Sequence, residues 1–497
     1  MRTHLLLLIT AMLFSTATVF AQGGTTGPLT WNISNGTLTI NGEGDMPNYS
    51  NVGSAYAPWY QYRESINTVD IKVGVTSIGD CAFSDCTNLS SIIIPNGVKR
   101  IGVYAFDYCK NMTSITLPNS VIWIEALAFA ACTGLDSIKI PENVISIGDD
   151  AFGTCTGLIS VIIPNSVTNI GRGAFSGCAS LISIAIPDGV KNIGSLAFAA
   201  CTNLTSATIS KSVSNIGTGA FAGCTTLLSI DVESENNSYA SEDGVLFNKS
   251  KTTLLHYPAG KKTDTYVIPN SVTWIGQDAF RHCTNLTSAI ISNSITSIED
   301  FTFDGCTSLA SVIIPNGVTR IGSTAFCGCT SLTSVTIPNS VKKIESWAFG
   351  YCKNLTLITN LNPVPVDIHF SVFEGVYKSA CTLEVPISSV SAYKNVPIWK
   401  EFNIVGIEVG IETIELEAIK IYPNPTTGEL RIEVADQVCN DGELGIKIFD
   451  AYGKVLHSHT ALMSPKNTLD ISHLPTGIYF VKISTATGEV VKKIAKK

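Results

Sequence analysis

Charge is scarce in this sequence. Only 14% of its 497 residues are Asp, Glu, Lys or Arg, and basic residues (32) are outnumbered by acidic ones (40). A net charge of −8 over this length supplies no basic face, which argues against nucleic acid as a partner. Long apolar runs are missing after the first residues. No later segment reaches the ~20 apolar residues of a membrane-spanning helix, so no transmembrane segment is expected in the mature chain. Catalytic groupings are missing as well. The seven His are scattered, and no Ser–His–Asp set, paired acids or phosphate loop emerges. Cys327-Gly328-Cys329 is too close for a zinc site, and His457 and His459 alternate on one strand without a third ligand. The expectation is a non-enzymatic chain with no metal and no cofactor.

What is present is short polar residues, Gly, Ser, Thr and Asn, which suit strands and turns better than helices. At the start, Arg2 and His4 precede an apolar run from Leu5 to Leu13. Val19-Phe20-Ala21 then forms a small-residue cleavage pattern. This is a signal peptide over residues 1–21, cut between Ala21 and Gln22. The run is too short for a membrane anchor.

Self-similarity decides the fold. Phe recurs every 23 residues at 83, 106, 129, 152, 175, 198 and 221, and again at 280, 303, 326 and 349. A Cys follows each Phe by three positions. The unit reads L-x-S-I-x-I-P-x-x-V-x-x-I-G-x-x-A-F-x-x-C. In Leu135 to Ile140 the residues Ile138 and Ile140 point one way, and Ser137 and Lys139 the other. Pro141 ends this strand in a turn, Val144 and Ile147 form a second apolar pair, and Gly148 allows a bend. Ala151-Phe152 opens a short helical or irregular return to Cys155. One coil cannot bury its own apolar edge; stacked coils can.

The L-x-x-I-x-I spacing is that of leucine-rich repeats, and the full unit resembles the BspA-like leucine-rich repeat of surface proteins in some bacteria and protozoa. The fold class is therefore mainly β: a leucine-rich-repeat solenoid of 23-residue units, followed by a small C-terminal β-sandwich. The solenoid is expected over 70–358, between an N-terminal β cap at 22–69 and a C-terminal cap at 359–405. Phe221 and Phe280 lie 59 residues apart, which marks an insertion at 233–262. Its aromatic strands and polar turns read as a β-hairpin, serving either as a spacer in the stack or as a binding element.

A linker at 406–419 leads to the tail, 420–497. Tyr422-Pro423-Asn424-Pro425 with Gly428, then Gly453, then Leu474-Pro475-Thr476-Gly477-Ile478-Tyr479, and a Lys-rich end resemble a type IX secretion sorting domain. That resemblance implies passage through the outer-membrane secretion machinery and a place on the bacterial surface or outside the cell.

Eleven Cys recur at one place in successive turns and should run parallel ~4.8 Å apart. Their vectors suit small core filling better than disulfides, so free buried thiols are expected. Cys81, Cys327, Cys381 and Cys439 lie off this series, which leaves a bridge among them open.

The outward strand positions form two columns. One is nearly uniform Ser. The other varies, with Ile93, Thr116, Lys139, Ile162, Ala185, Thr208, Ile313 and Thr336, and is the expected binding face. The family resemblance implies extracellular or host matrix proteins as partners, with an envelope glycan-binding or structural role as the alternative. The basic loop residues Lys99, Arg100, Arg320, Lys342 and Lys343 either attract acidic partners or form a solvated rim.

Overall fold

A computed structural model describes residues 22–53, 55–408, 419–422, 426–434, 443–450, 454–462, 466–485 and 488–497. One coil shows how the repeat folds. Ser137–Lys139 is a strand with Ile138 buried between exposed neighbours. Pro141 has no N–H to continue a ladder, but its carbonyl accepts the N–H of Val144 at 3.1 Å and closes the turn. A second strand, Ser146–Ile147, runs along the next side and buries Ile147.

The return is neither helix nor strand. Asp150 and Thr154 sit in the left-handed region, at φ 51° and 55°. They flank Phe152, and the N–H groups of Asp150, Phe152 and Thr154 all point to the following turn. They donate to Arg172, Ala174 and Ser176 carbonyls at 2.7, 2.8 and 2.6 Å. The left-handed residues aim alternate N–H groups one way, so the coil satisfies its third side without a strand. The same pair of positions has positive φ at Leu127 and Ala131, and at Gly173 and Gly177.

The chain divides into two units, one of residues up to 201 with 215–220, the other of 202–214 with 221–497. In the first, Gln22–Thr26, Leu29–Ser34 and Thr37–Gly42 form an antiparallel cap. Thr37–Gly42 then pairs in parallel with Thr68–Ile71, which pairs with Ser91–Ile93, so the cap feeds the first repeat sheet. The second sheet has eight parallel strands, with Ile78, Ile101, Ile124, Ile147, Ile170, Ile193 and Ile216 in register. Between the sheets run fully buried Phe rings; Phe129 and Phe152 lie 5.2 Å apart with planes 4° from parallel. Each such ring is worth about 2–3 kcal/mol through burial alone. Trp59 closes the row, 5.9 Å from Phe83.

The second unit repeats the plan. A seven-stranded sheet runs from Thr265–Val267 to Asn403–Ile407. The Phe row ends on Phe373, packed edge-on by Trp399 and Phe402. Tyr393 donates its hydroxyl to the Asn362 carbonyl at 3.0 Å.

The 233–262 segment does contain a hairpin, Tyr239–Glu242 with Val245–Asn248 across Asp243-Gly244. Beyond the hairpin the chain makes another turn of the stack. Tyr257 stacks on Phe280 at 5.1 Å, 23 residues earlier, where a Phe would stand. Cys283 donates its thiol to the Tyr257 carbonyl, as other Cys do to Phe. Gly260 takes the Cys place.

In the tail, Ile419–Tyr422, Glu429–Val434 and Lys466–Asp470 form one antiparallel sheet. Val455–Leu462, Glu443–Asp450, Gly477–Thr485 and Gly488–Lys496 form a second. Leu430, Ile432, Ile448, Val481 and Ile483 make the shared core of this small sandwich. No helix among the described residues is long and apolar enough to cross a membrane.

Candidate functional site

The outward column lies where period-two alternation puts it. In the first unit Ile93 and Ile162 are 57% and 62% exposed. Lys139 and Ala185 are exposed as well, and Lys139 pairs in register with Ile162. Thr116 is exposed but lies outside any strand; in its turn only Ser114 bridges to the next, at Ser137. In the second unit Thr208 and Thr336 are exposed, and Ile313 is 63% exposed. Ile313 stands between Ile290 on one neighbouring strand and Thr336 on the other.

A third column escapes the sequence pattern. The residue before each outward Ser is usually hydroxylated, and its side chain caps the preceding turn. Ser90 donates to the Asn67 carbonyl at 3.2 Å, Thr287 to Asp264 at 2.7 Å and Thr356 to Thr333 at 3.2 Å. Ile159 and Ile182 hold this place in adjacent turns, 48% and 52% exposed, and forgo that bond. The signal was there in the sequence, as Ile159, Ile182, Leu228 and Ala310 where the other turns carry Thr, Ser or Asp.

The arginines of the rim are engaged. Arg100 donates to Asp80 at 2.7 Å and to Glu125 at 3.0 Å. Arg320 is held by Asp300, Glu299 and Glu345 at 2.5, 3.2 and 3.4 Å, and Lys343 meets Glu345 at 2.6 Å. Bonds from Lys343, then Arg320, hold the Glu345 carboxyl below the usual carboxylate range. The two arginines brace successive turns against one another, while Lys343 pairs within its own turn.

The ladder thiols are free and buried, and so are Cys81 and Cys381; Cys327 is free and half-buried. Cys439 lies outside the described residues. Burial pushes the Cys86 and Cys352 thiols up to about 12. Among the described residues no group of three or more His, Cys, Asp or Glu is placed to hold a metal.

In the tail, Tyr422 pairs with Arg431 across the first sheet. Gly428 donates its N–H to Thr426 Oγ1 at 3.1 Å, and its carbonyl accepts from Ile471 at 2.7 Å. Gly477 opens a strand opposite Lys496. Tyr479 donates its hydroxyl to the Pro475 carbonyl at 2.7 Å. Pro423, Asn424, Pro425 and Gly453 lie outside the described residues, as does Ala21; Gln22 begins the first strand.

Sequence comparison matches residues 56–163, 146–262 and 259–378 to the BspA type leucine rich repeat region. The chain belongs to the BspA-type leucine-rich-repeat family. Residues 420–497 match a secretion system C-terminal sorting domain. A leucine rich cell surface protein from Faecalibacterium prausnitzii is 31% identical, covering 68% of this chain and 94% of its own, with a TM-score of 0.51. A leucine-rich repeat protein from Bacteroides ovatus is 25% identical over 78% of this chain and 100% of its own, with a TM-score of 0.44. The pneumococcal vaccine antigen PcpA is 20% identical over 78% of this chain and 99% of its own, with a TM-score of 0.49. No curated protein matches the sequence. Neither matched family is a catalytic one. The BspA-type repeats with their sorting tail mark an exported, cell-surface protein.

Proposed function

We propose that the chain is an adhesin-like surface protein that recognises an extracellular or host matrix protein on the outer sheet face of its solenoid. The observation that carries this reading is the pair Ile290 and Ile313. They stand in register on neighbouring strands, 38% and 63% exposed, where the next two turns carry Thr336 and Thr359. Thr is β-branched and forms strands as well as Ile does, so the fold does not require apolar side chains there. Exposed apolar surface rimmed by hydroxyls is the composition of a protein-binding patch. Ile159, Ile162 and Ile182 give the first unit similar exposed apolar points.

Surface plasmon resonance of the purified chain against fibronectin, laminin and collagen tests the reading. One of them should bind, and Ile290→Thr with Ile313→Thr should weaken that binding at least about tenfold without changing the melting temperature. Undiminished binding by the double variant would sink the choice of face.

A further inference from the structure

The second sheet of the first unit has an outward row of its own. In register on successive strands stand Arg100, Trp123, Ser146, Asn169 and Asn192. Short polar or charged side chains suit a solvated sheet face, and Trp123 breaks that composition. Its indole is 42% exposed on a strand only two residues long. Ser146 and Asn169 fill the same place in the next turns, so the coil needs no ring there. Trp274 holds the equivalent place in the second unit, where its indole N–H donates to Glu299 at 3.4 Å. The Trp123 indole nitrogen has no protein partner among the described residues.

Trp123 borders an open cleft of about 590 Å³, lined also by Asp45, Asn48, Lys99 and Arg100. Its polar groups are held in place. Asn48 Oδ1 accepts from the Asp80 backbone N–H at 3.0 Å and from Arg100 at 3.3 Å, which leaves its amide nitrogen as a donor. Asp45 accepts from the Thr76 hydroxyl at 2.6 Å and also bonds the Ser77 side chain; a carboxylate has about four acceptor positions, so it keeps capacity for a further donor. Lys99 is exposed and adds a second donor. The positive charges of Lys99 and Arg100 are offset by Asp45, Asp80 and Glu125, so the cleft offers no net attraction to a polyanion.

An aromatic face beside fixed donors and an acceptor matches one ligand chemistry. A pyranose ring presents a C–H face that packs on an indole, and a rim of hydroxyls that each donate and accept. We infer that this cleft binds a neutral saccharide, with a pyranose ring on Trp123 and its hydroxyls on Asp45 and Asn48. The inference is independent of the outer-face proposal, which concerns a different sheet.

The test is isothermal titration of the full chain with chitotriose, maltotriose and mannotriose. At least one should bind with a Kd of about 1 mM or tighter, a range ordinary for a small polar ligand. Trp123→Ser and Asp45→Asn should each weaken it about tenfold or more, while Trp274→Ser leaves it unchanged. Ser already stands at this place in the following turn, and thermal melting of each variant checks folding. Should Trp123→Ser melt early, Asp45→Asn alone decides. Three results overturn the inference: no binding by any trisaccharide, binding that survives these substitutions, or equal loss in Trp274→Ser.

Discussion

Cys109 donates its thiol hydrogen to the carbonyl oxygen of Phe83, 3.2 Å away in the preceding turn. The bond recurs from Cys132 to Phe106 at 3.1 Å and from Cys306 to Phe280 at 3.0 Å. Each thiol therefore fills a small core position and gives the Phe carbonyl a second donor beside a backbone N–H. This role depends on the protonated thiol, and burial favours that form. Ellman's reagent at pH 8 should leave the ladder thiols unmodified in the native chain and titrate them after denaturation. Among the described thiols Cys327 should react first, because it alone is half-buried while the others are buried. Rapid native labelling of Cys109 or Cys306, read by peptide mapping, would contradict the ladder.

His256 is 4% exposed, and its Nε2 has no partner among the described residues. Burial lowers its pKa from 6.5 to about 4. Between those values the unfolded chain binds the proton and the folded chain does not. Stability from this group is therefore present at neutral pH and is lost as pH falls from 6.5 toward 4, by about 3 kcal/mol in all. His256→Leu removes both this loss and an unsatisfied buried nitrogen worth roughly 1–3 kcal/mol. Urea denaturation should show the variant more stable at pH 7, with its advantage growing down to pH 4.

Asp107 has the opposite sign. It is 8% exposed, and burial followed by the nearby charge of Asp85 pushes it from 3.8 up to about 7. Between those values the folded chain keeps a proton that the unfolded chain releases, so the carboxyl costs stability as pH rises from 4 to 7. Asp107→Asn should match the parent near pH 3.5 and melt at higher temperature at pH 8. A gap that does not widen with pH would show that Asp107 ionises freely in the fold.

The stacked positions were legible because stacking favours like side chains in successive turns: most Phe rings meet another Phe, so the period is written in the sequence. Tyr257 and Gly260 were missed because both members of the Phe and Cys signature change in that turn. Counting back 23 residues from Phe280 would have found Tyr257. The left-handed positions leave no signature, since Cys81, Leu127, Trp347 and Gly173 all occupy them. Turn-to-turn hydrogen bonds hold that conformation whatever the side chain, and each non-Gly residue there costs roughly 1–2 kcal/mol. The charge pairs were hidden for a related reason. Arg100 meets Asp80 and Glu125, residues about one turn away on either side, so the partners are distant in sequence and adjacent in the stack.

Trp59 caps the first Phe and also donates its indole N–H to the Ala82 carbonyl at 2.7 Å. Trp59→Phe keeps the stack and loses that bond, at a cost of about 1 kcal/mol. Trp59→Ala also loses the ring, at roughly 3–5 kcal/mol. In a stack whose turns touch only their neighbours, the loss should stay local. Hydrogen exchange should quicken at the Phe83 and Asp85 amides, which bond to Ala105 and Asp107, and stay unchanged at Phe175. Uniform quickening would mean that the first unit opens as one block.

The Leu474 to Tyr479 motif of the tail is explained by its own geometry. The Tyr479 hydroxyl ties back to the Pro475 carbonyl, and Lys496 Nζ donates to the Leu474 and Ser472 carbonyls at 2.5 and 3.2 Å. The motif thus fastens a loop to the final strand, and its side chains serve folding before any recognition. Tyr479→Phe should destabilise the tail by about 1 kcal/mol and leave the solenoid transition in place. Deletion of 420–497 should abolish surface exposure, measured by protease shaving of intact cells. Tyr479→Phe should reduce exposure only near the temperature at which the tail melts. If it blocks export with the tail still folded, the hydroxyl is read directly by the secretion machinery, and the structural account of the motif fails.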